Sequence, residues 1–224
     1  MATDLGLRAR KKQQTRQAIS AAAMRLFAER GFDHVSVADV AQAADVSRVT
    51  VFNYFPTKED LVFDQQDEAI NGPSRTVRER RPGQSAISAL RAAYLDALER
   101  RDPLIAFSDG FERFVRLIDS SPSLRARSRE MFEQRENELA ATLAAETETA
   151  TGPESDPLRA RFVAGQVTAI HRMLFVDSYR RLLGGEPMAD IAEGLKHASE
   201  VAFDLLERGI GEGYCTRPTT DRPA

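Results

Sequence analysis

Apolar residues recur at spacings of three and four along most of the chain, and alternating runs of β-branched residues are few, so the pattern predicts helices throughout. The first runs from about Gln13 to Arg30, burying Ile19, Ala22, Ala23, Leu26 and Phe27. Gly31 closes it in the left-handed conformation, with Phe32 folding back on the helix. A second begins at Ser36, where Asp39 completes a capping-box arrangement, and ends near Ala43. A third, SRVTVFNYF, follows the turn Ala44-Asp45-Val46. Longer helices are expected over about Lys58 to Ile70, Ser85 to Arg100, Pro103 to Asp119, Pro122 to Glu148, Pro157 to Leu183 and Met188 to Arg208. Three of these open on a capping side chain followed by proline: Asp102-Pro103, Ser121-Pro122 and Asp156-Pro157. Gly184-Gly185 and Gly209 close the last two, giving an all-α chain of about nine helices.

Composition narrows the class. At 224 residues and 42% hydrophobic the chain can bury a sizeable core. No stretch approaches the roughly 18 apolar residues of a membrane span, and MATDLGLRARKKQQTR lacks a signal peptide's apolar region, so a cytoplasmic protein with no membrane contact is expected. Cys215, the single cysteine, makes neither an internal disulfide nor a multi-cysteine metal site. The tail after residue 210, GEGYCTRPTTDRPA, reads as disordered. Charge matters by location: 31 basic and 34 acidic residues leave -3 overall, yet Arg8, Arg10, Lys11, Lys12, Arg16, Arg25 and Arg30 face only Glu29. That segment is either a polyanion-binding end or a solvated helix face with a basic tail.

Two short helices joined by a tight turn between Ser36 and Phe55 have the spacing of a helix-turn-helix, whose second helix lies across a major groove. Val46, Val51 and Phe55 fall on the face that packs against Val37, Val40 and Leu26. The opposite face carries Arg48, Val49, Phe52 and Asn53. Arginine forks onto guanine O6 and N7, asparagine pairs with adenine N6 and N7, and valine touches a thymine methyl. Ser36, Ser47, Thr50, Tyr54 and Lys58 suit phosphate contacts, Lys58 because Thr57 and Asp60 cap the helix it opens.

The stretch AAAMRLFAERGFDHVSVADVAQAADVSRVTVFNYFPTKEDL resembles the DNA-binding domain of the TetR family of bacterial transcriptional regulators, over about Lys12 to Leu61. Leu26-Phe27, Gly31-Phe32, Val40-Ala41 and Tyr54-Phe55-Pro56-Thr57-Lys58-Glu59 carry the likeness. The resemblance implies a three-helix DNA-binding domain over residues 1–57, then a larger helical effector-binding and dimerisation domain over residues 58–210. It further implies a homodimer on a pseudo-palindromic operator in double-stranded DNA, most often a repressor released by a small molecule. Three positions depart from the family: Asp45 stands where glycine is usual in the turn, Phe52 where tyrosine is usual, and Val49 where glycine is common. Aspartate tolerates left-handed backbone, so the turn is expected to survive.

By the same resemblance the last two helices form the dimer interface, and Phe162, Val163, Gln166, Val167, Ile170, Leu174 and Phe175 with Ile191, Leu195, Ala198, Ala202 and Leu205 supply apolar stripes for it. An effector pocket is expected among the fourth to eighth helices, from Tyr94, Phe107, Phe111, Phe114, Met131, Phe132, His171, Met173 and Phe175, for an apolar or amphipathic ligand. Taken singly, each of these reads first as an ordinary core position. The three histidines have no metal-ligand spacing, and no nucleophile elbow, H-E-x-x-H or glycine-rich phosphate loop is present, so neither metal, cofactor nor enzyme activity is expected. An architectural DNA binder and a helical enzyme with an unrecognised site are the competing classes; Arg48 and Asn53 on a major-groove helix favour base readout over the former.

Overall fold

The computed structural model describes residues 2–102, 110–151 and 157–210. Phe107, Pro103, Asp156, Cys215 and the expected disordered tail lie outside the described residues. Among those described, the elements are nine α-helices and one 3-10 turn: α1 (Ala2–Arg30), α2 (Val37–Ala43), α3 (Arg48–Tyr54), the turn Glu59–Leu61, α4 (Gln66–Glu79), α5 (Ala86–Glu99), α6 (Phe111–Ser120), α7 (Pro122–Thr151), α8 (Pro157–Leu183) and α9 (Met188–Ile210).

The capping chemistry legible in the sequence sets several of these ends. Gly31 has φ 80° and its amide donates to the Phe27 carbonyl, while the Phe27 and Phe32 rings lie 5.0 Å apart. Ser36 and Asp39 bond reciprocally at the start of α2, and the hydroxyl and backbone amide of Ser36 hold the Asp39 carboxyl below the usual carboxylate range. Ser85 caps α5 by accepting from the Ser88 amide at 3.1 Å.

Three elements differ from expectation, one of them the helix expected over Pro103 to Asp119, which in the described residues starts only at Phe111, after Gly110 at φ 108°. The first helix begins at Ala2 rather than Gln13, so Arg10, Lys11 and Lys12 ride on it as exposed side chains. The single helix expected over Lys58 to Ile70 does not form: a 3-10 turn ends at Leu61 and α4 starts only at Gln66. Leu61, Val62 and Phe63 are all buried, and one straight α-helix cannot turn three successive side chains to the same side. The helix then runs through Asn71-Gly72-Pro73 to Glu79. An interior proline deprives one carbonyl four residues back of its donor, and buried apolar neighbours, with Pro73 itself buried, stabilise the segment against that cost.

The chain forms two compact units. The first comprises residues up to Gln66 with Arg113–Ser128. Its core holds Ile19, Ala23, Leu26 and Phe27 of α1, Val40 of α2, Val51 of α3, and Phe55 and Leu61, with Val115, Ile118 and Leu124. Ser121 donates to Asp33 at 2.9 Å, and Arg127 reaches Asp60 at 3.2 Å and Gln66 at 2.6 Å. The second unit comprises Asp67–Glu112 and the residues from Arg129 onward. There α9 packs on both α5 and α8, with Ile87 and Leu90, Val163 and Val167, and Ile191, Leu195 and Phe203 buried, as are Leu139 and Leu143 of α7. Arg181 closes the α8–α9 turn onto Glu186 and the Asp190 carbonyl, and Gly194 leaves it room, since a Cβ there would meet the guanidinium.

Candidate nucleic-acid interface and effector region

The turn between α2 and α3 is a left-handed cap built on aspartate. Asp45 has φ 53°; its amide donates to Gln42 at 3.2 Å, and that of Val46 reaches back to Ala41 at 3.0 Å. The departure from glycine is therefore accommodated. Ser47 caps α3 by accepting from the Thr50 amide at 3.0 Å, and the two hydroxyls lie 2.8 Å apart. Val51 and Phe55 point into the core while Val46 is half-buried.

The outward face of α3 is open. Val49 is 69% exposed and Phe52 43%, both large apolar side chains left uncovered. Arg48 and Asn53 are exposed and make no hydrogen bond or ion pair among the described residues. An arginine, an asparagine and two apolar groups with unspent contacts lie together on the second helix of the motif, the side-chain chemistry that base edges call for. Ser36 and Ser47 are exposed beside it, and Thr50 and Tyr54 half-buried. Lys58 is half-buried too: its Nζ donates to the Phe32 carbonyl at 2.6 Å and lies 4.1 Å from the Phe32 ring centroid. An ammonium has three donors, so this anchoring leaves two.

One basic side chain does something other than the sequence suggested. Arg16 Nε donates to Asp64 Oδ1 at 2.6 Å, and its terminal nitrogens donate to the Tyr54 carbonyl at 3.0 Å and the Asp64 carbonyl at 3.1 Å. The guanidinium also stands 4.5 Å over the Phe55 ring. It ties α1 to the carboxyl end of α3. The signal was positional: Arg16 lies three residues before Ile19 and seven before Ala23, on the buried stripe.

In the second unit the structure gathers some of the expected effector residues. Tyr94 and His171 stack at 5.1 Å, and Phe203 of α9 joins them at 6.4 and 6.0 Å. Phe111 and Phe132 meet Phe175 edge-on at 6.0 and 6.2 Å. Met173 is not with them; it is exposed on the other side of α8. Phe114 belongs to the first unit, against Phe63 at 5.9 Å. Sequence reading missed Arg135, whose terminal nitrogen lies 2.7 Å from His171 Nδ1. It follows Phe132 by three and precedes Leu139 by four, an inward register on α7. Burial pushes its pKa down to about 10, and burial with the neighbouring guanidinium holds His171 well below its ordinary value. Burial raises the Tyr94 phenol, with Arg135 opposing.

A depression of about 550 Å³ lined by Arg81, Gln84, Ser85, Ser88 and Glu207 is shallow and polar and contains none of these aromatics. Among the described residues no group of three or more histidine, cysteine or acidic side chains could hold a metal, and no helix is long and apolar enough to cross a membrane.

The exposed face of α3 behind a two-helix turn defines a DNA-binding protein of the helix-turn-helix class. Residues 19–64 match the family described as bacterial regulatory proteins, tetR family. The HTH-type transcriptional regulator TcmR of Streptomyces glaucescens is 31% identical over 206 residues, 90% of this chain and 86% of that protein. The HTH-type transcriptional regulator LuxR of Vibrio harveyi is 48% identical over 56 residues, 25% of each chain. Among solved structures, native NalD, the secondary repressor of the MexAB-OprM multidrug efflux pump in Pseudomonas aeruginosa, shares the fold at TM-score 0.56 and 22% identity, over 86% of this chain and 96% of that one. The SmeT–triclosan complex does so at TM-score 0.53 and 16% identity, over 94% and 99%. The chain belongs to the TetR family and is a DNA-binding transcriptional regulator.

Proposed function

We propose that this regulator is a homodimeric repressor whose two copies of α3 read the half-sites of a pseudo-palindromic operator, and which a small apolar or amphipathic effector releases. The observation that carries the reading is the outward face of α3, where Arg48, Val49, Phe52 and Asn53 are exposed together. Arg48 forks onto a guanine, Asn53 pairs with an adenine, and Val49 and Phe52 meet thymine methyls. Ser36, Ser47, Thr50, Tyr54 and the free protons of Lys58 fix the register on phosphates, helped by the exposed Arg10, Lys11 and Lys12. In this reading residues 1–57 are the DNA-binding domain and residues 58–210 hold effector and partner.

The dimer is supported by the way the apolar stripes of α8 and α9 divide. Val163, Val167, Leu174, Ile191 and Leu195 are spent on the unit's own core, whereas Leu158, Phe162 and Met173 on α8 and Val201 and Leu205 on α9 are uncovered. Uncovered large side chains on neighbouring helices mark an interaction surface. The aromatic group around Phe175 and Tyr94 supports an effector site in the second unit; SmeT, a protein of the same fold, is seen with triclosan. Effector binding acts by favouring a dimer whose recognition helices no longer match the half-site spacing, roughly one helical turn or a multiple of it.

Selection of genomic fragments on the purified protein at moderate salt, repeated with Arg48→Ala, tests this. A few fragments sharing a palindrome, lost in the variant, are expected. Broad retention indifferent to Arg48 would replace the reading with an architectural role.

A further inference from the structure

Part of α1 stands clear of the first unit's core. Every residue from Ala9 to Gln14 is exposed, and the first buried position after them is Ile19. Arg10, Lys11 and Lys12 follow one another in that stretch, and the chain has no acid between Asp4 and Glu29, so no carboxylate lies three or four residues from any of them. A helical stretch that is exposed all round, with like charges and no such pairs, gains little from its own surface. Arg16 fixes where this stretch leaves the unit. Its guanidinium donates at 3.0 Å to the carbonyl of Tyr54, the last residue of α3, and stands 4.5 Å over the Phe55 ring. Lys12 and Arg10 come four and six residues before that tether, roughly 6 and 9 Å along the helix. With seven residues α3 is about 10 Å long, close to the roughly 12 Å width of a major groove. Laid across the groove, α3 brings its ends to the phosphate ridges, and the basic stretch departs from its carboxyl end. Successive helical residues turn by about 100°, so the three cations fan over about 200° and cover more than half of the circumference.

We propose that this stretch of α1 is a second DNA-binding element, which holds the sugar–phosphate backbone of the duplex outside the half-site that α3 reads. Arg10, Lys11 and Lys12 neutralise flanking phosphates and displace their counterions. An offset of roughly 9 Å spans about three base pairs, so the contact needs DNA that continues past the half-site. It carries charge and no sequence information, and therefore adds affinity on any sequence of that length. The inference rests on α3 reading the half-site.

The test measures binding of the full-length protein to two duplexes that carry the selected palindrome, one ending about one base pair beyond each half-site and the other about ten. Wild type is compared with Arg48→Ala and with a triple variant, Arg10→Gln, Lys11→Gln and Lys12→Gln. Glutamine matches lysine and arginine in helix propensity and the three positions are exposed, so the triple variant is expected to melt where wild type does. Wild type is expected to bind the long duplex about tenfold or more tightly than the short one. The triple variant should bind both as wild type binds the short one, and its salt slope on the long duplex should be shallower by about two units or more per protomer. Arg48→Ala should weaken both duplexes and keep the preference for the long one. Wild-type indifference to flank length, a triple variant that keeps the preference, or one that loses equally on both duplexes would each overturn the inference. An Arg48 effect without flank preference overturns the flanking contact alone; flank preference without an Arg48 effect upholds that contact and refutes base readout. Failure to select any palindrome refutes both.

Discussion

Replacing Arg16 with alanine separates a structural from a phosphate-binding role for a residue in the most basic part of the chain. The side chain spends itself inside the first unit, on Asp64, the Asp64 and Tyr54 carbonyls and the Phe55 ring. The two carbonyl bonds contribute about 1 kcal/mol each and the ring contact about 0.5. The ion pair is discounted, because Arg16 and Asp64 remain 34% and 29% exposed and solvent screens it to about 0.5 kcal/mol. Arg16→Ala is therefore expected to cost about 2 to 3 kcal/mol, confined to the first unit. Hydrogen exchange read by mass spectrometry should show α1 and α3 amides opening faster while peptides of α5, α8 and α9 are unchanged. DNA affinity should fall for every sequence without a change in its salt dependence, since no phosphate charge is lost. Unchanged exchange, together with a salt slope shallower by about one unit, would place Arg16 on DNA and refute the reasoning.

Three further outcomes follow from the same geometry. Asp45→Gly should raise the stability of the first unit by about 0.5 to 1 kcal/mol, by relieving left-handed backbone, and Asp45→Val should lower it by more than about 1 kcal/mol; equal melting curves for all three would show the turn is unstrained. His171 stays neutral in the folded protein but takes up a proton below 6.5 once unfolded, so its contribution is full above that pH and is lost as pH falls below it. The acid-side slope should flatten in His171→Gln, and an identical slope would remove His171 from the titration. Phe162→Glu and Leu205→Glu should each give a folded monomer by light scattering, whereas a persisting dimer would move the interface elsewhere.

The helix-turn-helix was legible because its chemistry is local. Ser36 with Asp39, Gly31 with Phe32, and Asp45 in the turn act over three or four residues, and each does in the structure what its spacing implies. The outward position of Arg48, Val49, Phe52 and Asn53 followed from the inward position of Val51 and Phe55. What escaped depends on contacts distant in sequence. The break at Leu61-Val62-Phe63 arises because three adjacent side chains are drawn into the core, and α4 continues through Pro73 because its neighbours are buried. Arg16 was counted with the basic residues of the first helix and Arg135 was missed, although each sits on an apolar stripe; their partners, Asp64 and His171, lie 48 and 36 residues away. Met173 and Phe114 were grouped with the effector residues by type, while their actual surroundings, an open helix face and Phe63, are set by the packing of whole helices.

The central claim is that the outward face of α3 reads bases. Its most direct measurement is the ratio of affinities for the selected palindrome and for bulk DNA at one fixed salt concentration, in wild type, Arg48→Ala and Lys11→Ala. Arg48→Ala should lose about 1 to 3 kcal/mol on the palindrome and nearly nothing on bulk DNA, collapsing the ratio; Lys11→Ala should weaken both alike and leave the ratio intact. An unchanged ratio in Arg48→Ala would contradict base readout by this face.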